Sequence, residues 1–365
     1  MKTFFYLSIF FLFFLNSLQA QNNVLIKNIE YDVPIINKDL CQGSELSETD
    51  WWKRNIETSK RWYFQQALMN KALKGEIKVY NYDGNELSHD EIFKKLTYKD
   101  TIIKTRTKPP YDKYDTVITK YISPSEIHSL RFREAWYYDT FTFKIRKEIS
   151  DYSPIIAVDK EVKYQNKTKI ISQDMPLFWI KNVGNTDKKN YETLTDYILY
   201  NSPIFSNLET SMPQFGNILK VSNDSISRQS YIESLLFSAI SEKIKTYPST
   251  NFSDYYTFAI DNMTAFNLSE IQDIAATCDT MEITKNTLPN KVLFDTIICK
   301  VKDIKNILLF RFYEKWSLDP KTMSLQKDVV ALSPCEVMYN ARKEFKGIIP
   351  MFTVLFGKAV RCFEE

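Results

Sequence analysis

The chain has 365 residues, and its 48 Lys and Arg stand interleaved with 45 Asp and Glu, so the formal charge of +3 builds no concentrated basic face of the kind that binds nucleic acid. Only seven glycines are present, which removes the raw material for phosphate-cradling loops; G-x-G-x-x-G, G-x-x-x-x-G-K and G-x-S-x-G are all absent. The two histidines, His89 and His128, and the unclustered carboxylates offer no recognisable catalytic set, so neither an enzyme nor a cofactor is expected.

Met1-Lys2 begins a basic start followed by an apolar run over residues 4–15, broken only by Ser8, and then by a polar stretch after Ala20. That pattern predicts a signal peptide over residues 1–20, cleaved after Ala20. The competing reading is an uncleaved anchor, but the run is short of the roughly 20 residues a spanning helix needs. Cys41 lies well beyond the cleavage point, so no lipid-anchor cysteine is expected. The mature protein is therefore expected to be soluble in the periplasm, with an extracellular location as the alternative, and to reach a membrane only through a partner.

Residues 21–55 read as an N-terminal segment. Tyr63, Ala67, Leu68, Ala72 and Leu73 recur near helical spacing, which predicts a helix over 59–74 ending at Gly75. A short strand over 77–80 and a second helix over 88–96 follow, the latter begun by a Ser88/Glu91 capping box. Lys104 to Lys108, followed by Pro109-Pro110, reads as a solvated loop. Leu130, Phe132, Glu134, Trp136 and Tyr138 then alternate with polar residues, as do Phe143, Ile145, Lys147 and Ile149, which predicts a long hairpin. A four-residue turn starting at Asp139 sets Trp136 opposite Ile145 and Glu134 opposite Lys147. An apolar closing strand is expected over 175–180.

The chain then repeats itself. Asp115-Thr116-Val117-Ile118, the Arg131/Phe132/Glu134/Trp136/Asp139 series and Ser153-Pro154 recur 180 residues later as Asp295-Thr296-Ile297-Ile298, Arg311/Phe312/Glu314/Trp316/Asp319 and Ser333-Pro334. Upstream the offset is 167, from Leu68, Ala72 and Tyr80 to Leu235, Ala239 and Tyr247. The second turn, Asp319-Pro320, has the residue order of a type I turn, and its register sets Glu314 opposite Lys327. The fold class is thus α+β, as two tandem related domains of helices followed by an antiparallel sheet: residues 56–180 and 225–357, with a linker over 181–224 and a tail over 358–365. Glu134, Trp136, Asp139, Lys147, Glu314, Trp316, Asp319 and Lys327 are assigned structural roles, with a cross-strand ion pair inside each copy.

Four of five cysteines, Cys278, Cys299, Cys335 and Cys362, fall in the second copy. Export makes disulfides the natural reading, with Cys278–Cys299 and Cys335–Cys362 as one of three pairings. Zinc is the competing reading, but no C-x2-C spacing occurs and both histidines lie in the other copy, so no metal is expected. Trp51, Trp52, Trp62, Tyr111 and Tyr114 form an aromatic surplus that points to a binding surface.

The run Ser125-Glu126-Ile127, the Glu134-Ala135-Trp136-Tyr137-Tyr138-Asp139 block, Pro154 and Pro176-Leu177-Phe178-Trp179 resemble the GldN/PorN family of the Bacteroidetes gliding motility and type IX secretion machinery. Lys74-Gly75-Glu76-Ile77-Lys78 also resembles that family, and the likeness covers residues 56–180. Ser153-Pro154 stands where the family has alanine-proline, and Leu177-Phe178-Trp179 becomes Met351-Phe352-Thr353 in the second copy. The resemblance implies a non-enzymatic periplasmic component of a protein-transport assembly, oligomeric, with an envelope protein partner such as an outer-membrane lipoprotein. The alternative is a secreted or periplasmic glycan- or peptide-binding protein with its site between the two domains; a carboxylate-pair hydrolase is the remotest option.

Overall fold

Period-two alternation builds two antiparallel sheets, and short helices flank them. The computed structural model describes residues 22–35, 56–109, 111–164, 167–183, 190–204, 218–222, 225–249, 264–287, 290–340, 342 and 345–356. The expected signal peptide, Cys41, Trp51, Trp52, Cys362 and the tail lie outside the described residues.

Strand β1 (Asn22–Pro34) opens the described chain. Helix α1 (Thr58–Lys74) ends at Gly75, whose φ of 69° is the left-handed conformation that closes a helix. Helix α2 (His89–Leu96) starts on the expected capping box, with Ser88 N donating to Glu91 Oε2 at 2.8 Å and Glu91 N donating to Ser88 Oγ at 3.4 Å. The short strand expected between these helices shrinks to isolated bridges at Tyr80. The reason is local: Asn81 Oδ1 accepts from Asp83 N and Asn85 N and turns the chain at once.

Strands β2 (Thr97–Thr105) and β3 (Lys113–Tyr121) form a separate two-stranded ribbon. The basic cluster expected as loop thus begins inside β2, and Arg106 N donates to Asp112 O at 3.0 Å beyond the strand ends. After a 3-10 turn at Pro124–Glu126 come β4 (Ile127–Asp139), β5 (Ile145–Tyr164), β6 (Lys167–Pro176) and β7 (Ile180–Lys181). Strands β8 (Glu192–Pro203) and β9 (Ile218–Val221) lie in the stretch expected as a linker.

The order then recurs: α3 (Ser225–Ile240), α4 (Leu268–Ala275), a ribbon of β10 (Ala276–Thr287) and β11 (Asn290–Val301), a 3-10 turn, and the hairpin of β12 (Ile307–Leu318) and β13 (Leu325–Tyr339). Strands β14 (Phe345–Pro350) and β15 (Val354–Leu355) close it. Asn267 and Glu270 cap α4 with the same reciprocal box that opens α2.

The first sheet has the order β6-β5-β4-β1-β9, and the second β14-β13-β12-β8. Strand β1, in the segment set apart from the first domain, lies along β4 with Tyr31 opposite Phe132. Strand β8 does the same for β12, with Tyr200 opposite Phe312. Strand β9 stands directly before α3, yet it pairs with β1 and extends the first sheet. The halves are therefore interleaved.

They also share a core. The inner faces of the two sheets meet: the ring of Phe132 packs on Trp316 at 5.3 Å, and Trp136 on Phe312 at 5.0 Å. Tyr231 of α3 packs on Tyr138 at 4.8 Å and donates its hydroxyl to Phe143 O at 2.8 Å, so a second-half helix seals the first-half hairpin. A common core follows physically, because among the described residues the aromatic inner face of each sheet is buried against the other.

The hairpin register corrects the sequence reading. Phe143 and Met323, expected as strand residues, take positive φ of 59° and close the loops instead. Each turn consists of four residues after the aspartate, with Asp139 N donating to Lys144 O and Asp319 N to Ser324 O. The register moves by two residues, setting Lys147 opposite Trp136 and Lys327 opposite Trp316. Glu134 faces Ile149, and Glu314 faces Val329. The Glu–Lys pairs do not form across either hairpin.

Candidate functional site

Alternation along β4 points Phe132, Glu134 and Trp136 inward, while Arg131 and Arg133 point to the outer face and meet Asp32 and Glu30 at 2.7 Å and 3.0 Å. Strand β12 repeats the inward set with Phe312, Glu314 and Trp316. Two carboxylates and two ammonium groups are thereby placed between the sheets, with their side chains fully buried.

The ion pairs run from one half to the other. Lys147 Nζ lies 2.8 Å from Glu314 Oε1, and Lys327 Nζ lies 2.6 Å from Glu134 Oε1. Each carboxylate takes its second oxygen's bond from a neighbour on its own strand: Trp136 Nε1 donates to Glu134 Oε2 and Trp316 Nε1 to Glu314 Oε2, both at 2.8 Å. Two tyrosines complete the network. Tyr31 donates to Glu134 at 2.8 Å and Tyr200 donates to Glu314 at 3.0 Å, which uses the one proton of each hydroxyl and leaves their oxygens 3.1 Å apart at the centre.

The lysines also sit on aromatic faces. Lys147 Nζ is 3.2 Å from the centre of the Phe312 ring and 4.2 Å from that of Trp136. Lys327 Nζ is 3.1 Å from Phe132 and 4.8 Å from Trp316. Ring quadrupoles thus offset part of the desolvation of each cation. Two positive and two negative charges make the cluster neutral, with the carboxylates satisfied, as a buried network requires.

Burial lowers the Lys147 ammonium from its ordinary 10.5 to about 8, against the opposing pull of the Glu314 and Glu134 carboxylates. Burial raises the Glu134 carboxyl, yet the Lys327 and Lys147 ammonium groups outweigh it and hold the group below its usual range. Burial also keeps both central hydroxyls protonated by raising Tyr31 and Tyr200.

These shifts set a pH dependence. Between pH about 8 and 10.5 the folded chain has released the Lys147 proton that the unfolded chain retains, so this group makes stability rise with pH across that window. From pH about 10.0 the two tyrosines contribute with the opposite sign, because the unfolded chain ionises hydroxyls that the fold keeps neutral. Urea unfolding midpoints at several pH values are expected to show the rise, and the Lys147→Met protein is expected to lose part of it. An unaltered slope in that variant would contradict the assignment.

Asp139 and Asp319 do not join the cluster. Asp139 Oδ1 accepts from Phe141 N and Thr142 N at 2.9 Å and 2.7 Å, and Asp319 Oδ1 accepts from Lys321 N at 2.9 Å, so both order their turns. Tyr31 and Tyr200 are the members that sequence reasoning missed. Their signal was present: Ile29, Tyr31 and Pro34 recur as Ile198, Tyr200 and Pro203 at an offset of 169.

The backbone register sets Cys278 opposite Cys299 in the β10–β11 ribbon. Cys335 is buried and free, with its thiol pushed up to about 11 by burial; Cys362 lies outside the described residues. Trp62, Tyr111 and Tyr114 are exposed. His128 Nε2 lies 3.2 Å from Asp174, and His89 stands exposed beside Asp90. Among the described residues no three metal-ligating side chains converge, and no helix is long and apolar enough to cross a membrane.

Residues 49–205 match the family described as Gliding motility associated protein GldN. The chain is GldN-like. The GldN match begins before α1 and ends just after β8, so it takes in Glu134, Lys147 and Tyr200 but stops short of Glu314 and Lys327. Its last strand belongs to the sheet of the other half, which means that the GldN region does not close on itself here. No curated protein matches the chain.

Proposed function

We propose that this protein is a non-enzymatic, periplasmic structural component of a gliding-motility and type IX secretion assembly, and that it binds an envelope protein partner. The GldN match over residues 49–205 carries the reading. The internal geometry supports it, because the carboxylates, lysines and tyrosines are fully buried and engaged with one another. The space between the halves, where a glycan or peptide would have to enter, is filled by Phe132, Trp136, Phe312 and Trp316. The protein is peripheral, held at the outer membrane by a lipoprotein partner, and the halves descend from a tandem duplication. Support for duplication comes from the recurring element order and from the equivalent placement of Tyr31 and Tyr200.

Crosslinking of the tagged protein in its own cells, followed by purification under denaturing conditions, tests the assembly reading. An envelope lipoprotein recovered as a stoichiometric adduct is expected. Recovery of the uncrosslinked chain alone would remove the assembly role.

We propose a disulfide between Cys278 and Cys299, supported by their opposed backbone positions and by the expected export. Directly opposed antiparallel residues have Cα atoms about 4.5–5.5 Å apart, inside the range of about 4.4–6.8 Å that a disulfide spans. Non-reducing peptide mapping of protein from the envelope is expected to recover the peptides of the two residues joined. Two freely alkylated thiols would count against both the bond and an oxidising compartment.

A further inference from the structure

The β2–β3 ribbon stands apart from both sheets. Among the described residues its strands pair only with each other, and its base rests on α2, where Phe93 meets Tyr121 edge-on at 5.9 Å. A lone two-stranded ribbon is marginal in water, and both of its outer edges present unpaired backbone donors and acceptors. Part of its exposed surface is also apolar. Register puts Val117 opposite Thr101 and Ile103 opposite Asp115 on one face, with Val117 and Ile103 diagonal to each other and Tyr121 further towards the base. Ile103 (69% exposed) and Val117 (62%) form an apolar patch that nothing in the described fold covers, continued by Tyr121, which stays 58% exposed beside Phe93.

Charge decides what covers it. Residues 97–121 carry six cations and three acids. Lys120 holds Asp100, and Arg106 holds Asp112 at 3.3 Å. Lys99, Lys104, Lys108 and Lys113 make no ion pair among the described residues. Lys94 and Lys95 in the last turn of α2 extend the positive charge to the ribbon's base. A second copy stacked antiparallel would set basic base against basic tip, and a parallel one would set tip against tip; like charges opposed across an interface disfavour both. The fold itself does not demand this excess, since residues 276–301 of the other ribbon carry three cations and three acids.

We propose that the β2–β3 ribbon docks an acidic, extended segment of a partner protein, which adds a strand to the ribbon's edge and lays its apolar side chains over Ile103 and Val117. The proposal rests on the assembly reading and names the surface that carries it.

The test uses the full mature chain and a short fluorescent peptide in which valine and threonine alternate with glutamate. A matched peptide with lysine in place of glutamate and phosphatidylglycerol vesicles serve as the other probes. The glutamate peptide is expected to bind by anisotropy, and the Ile103→Glu/Val117→Glu protein to bind it at least about tenfold more weakly, as for loss of interface anchors. Lys104→Glu/Lys108→Glu is expected to transfer the preference to the lysine peptide. These positions are exposed, so an unchanged melting temperature confirms that each variant folds. Equal binding of both peptides, binding unaffected by the substitutions, binding of the vesicles in place of the peptide, or a ribbon-dependent dimer would each overturn the proposal. Envelope crosslinking that survives Ile103→Glu/Val117→Glu overturns the ribbon as the docking surface and leaves the assembly reading standing. Crosslinking that fails with the unaltered protein overturns the assembly reading and the ribbon's role with it.

Discussion

Replacing Lys147 with methionine is expected to lower the folding free energy by about 3–5 kcal/mol, the usual consequence of removing one partner of a buried pair. The variant keeps the stem volume that packs near Phe312 and Trp136 but strands the Glu314 carboxylate. Tyr200 and Trp316 still donate to that carboxylate at 3.0 Å and 2.8 Å, and neither brings a positive charge. Urea titration measures the loss. A cost under about 1 kcal/mol would mean that the pair behaves as a solvated surface contact.

Trp136→Ala is the second large effect, at about 3–5 kcal/mol for emptying an aromatic site in a packed core. Trp136 is fully buried and contacts Phe312 of the other sheet, Tyr31 of β1 and the Lys147 ammonium. Trp136→Phe separates volume from hydrogen bonding: it retains most of the ring contact and removes the Nε1 donor to Glu134, which is expected to cost about 1–3 kcal/mol for a buried acceptor left short of a partner. Denaturant midpoints should therefore rank wild type above Trp136→Phe and Trp136→Phe above Trp136→Ala. If the two variants proved equal, the hydrogen bond alone would explain the residue; if Trp136→Phe matched wild type, packing alone would.

The elements that could be read from the sequence were those whose signal is local. The Ser88/Glu91 capping box, Gly75 at the end of α1 and the alternation from Leu130 to Tyr138 each act within one or two turns of chain, and each appears in the fold where that chemistry puts it. The charge network was half legible. Its four charged members and both tryptophans stood out because they recur and because a Glu and a Lys on apolar faces need partners. Their pairing was not legible, since a hairpin read alone sees only its own other strand. Two things hid the exchange: Phe143 and Met323 take a left-handed conformation that favours glycine, which shifted the register, and β1 and β8 lie far in sequence from the strands they join. The weak Ile-x-Tyr-x-x-Pro recurrence at 29–34 and 198–203 was the only trace of those strands, and it fell in stretches read as segment and linker.

A double-mutant cycle in which Lys147→Met is combined with Glu314→Gln, and separately with Glu134→Gln, asks whether the ion pairs cross between the halves. Coupling of about 1.5 kcal/mol or more between Lys147 and Glu314, well above that between Lys147 and Glu134, is the expected result, since contacting groups couple by about 0.5–3 kcal/mol. Stronger coupling of Lys147 to Glu134 would place each pair within its own hairpin and contradict the interlocked core.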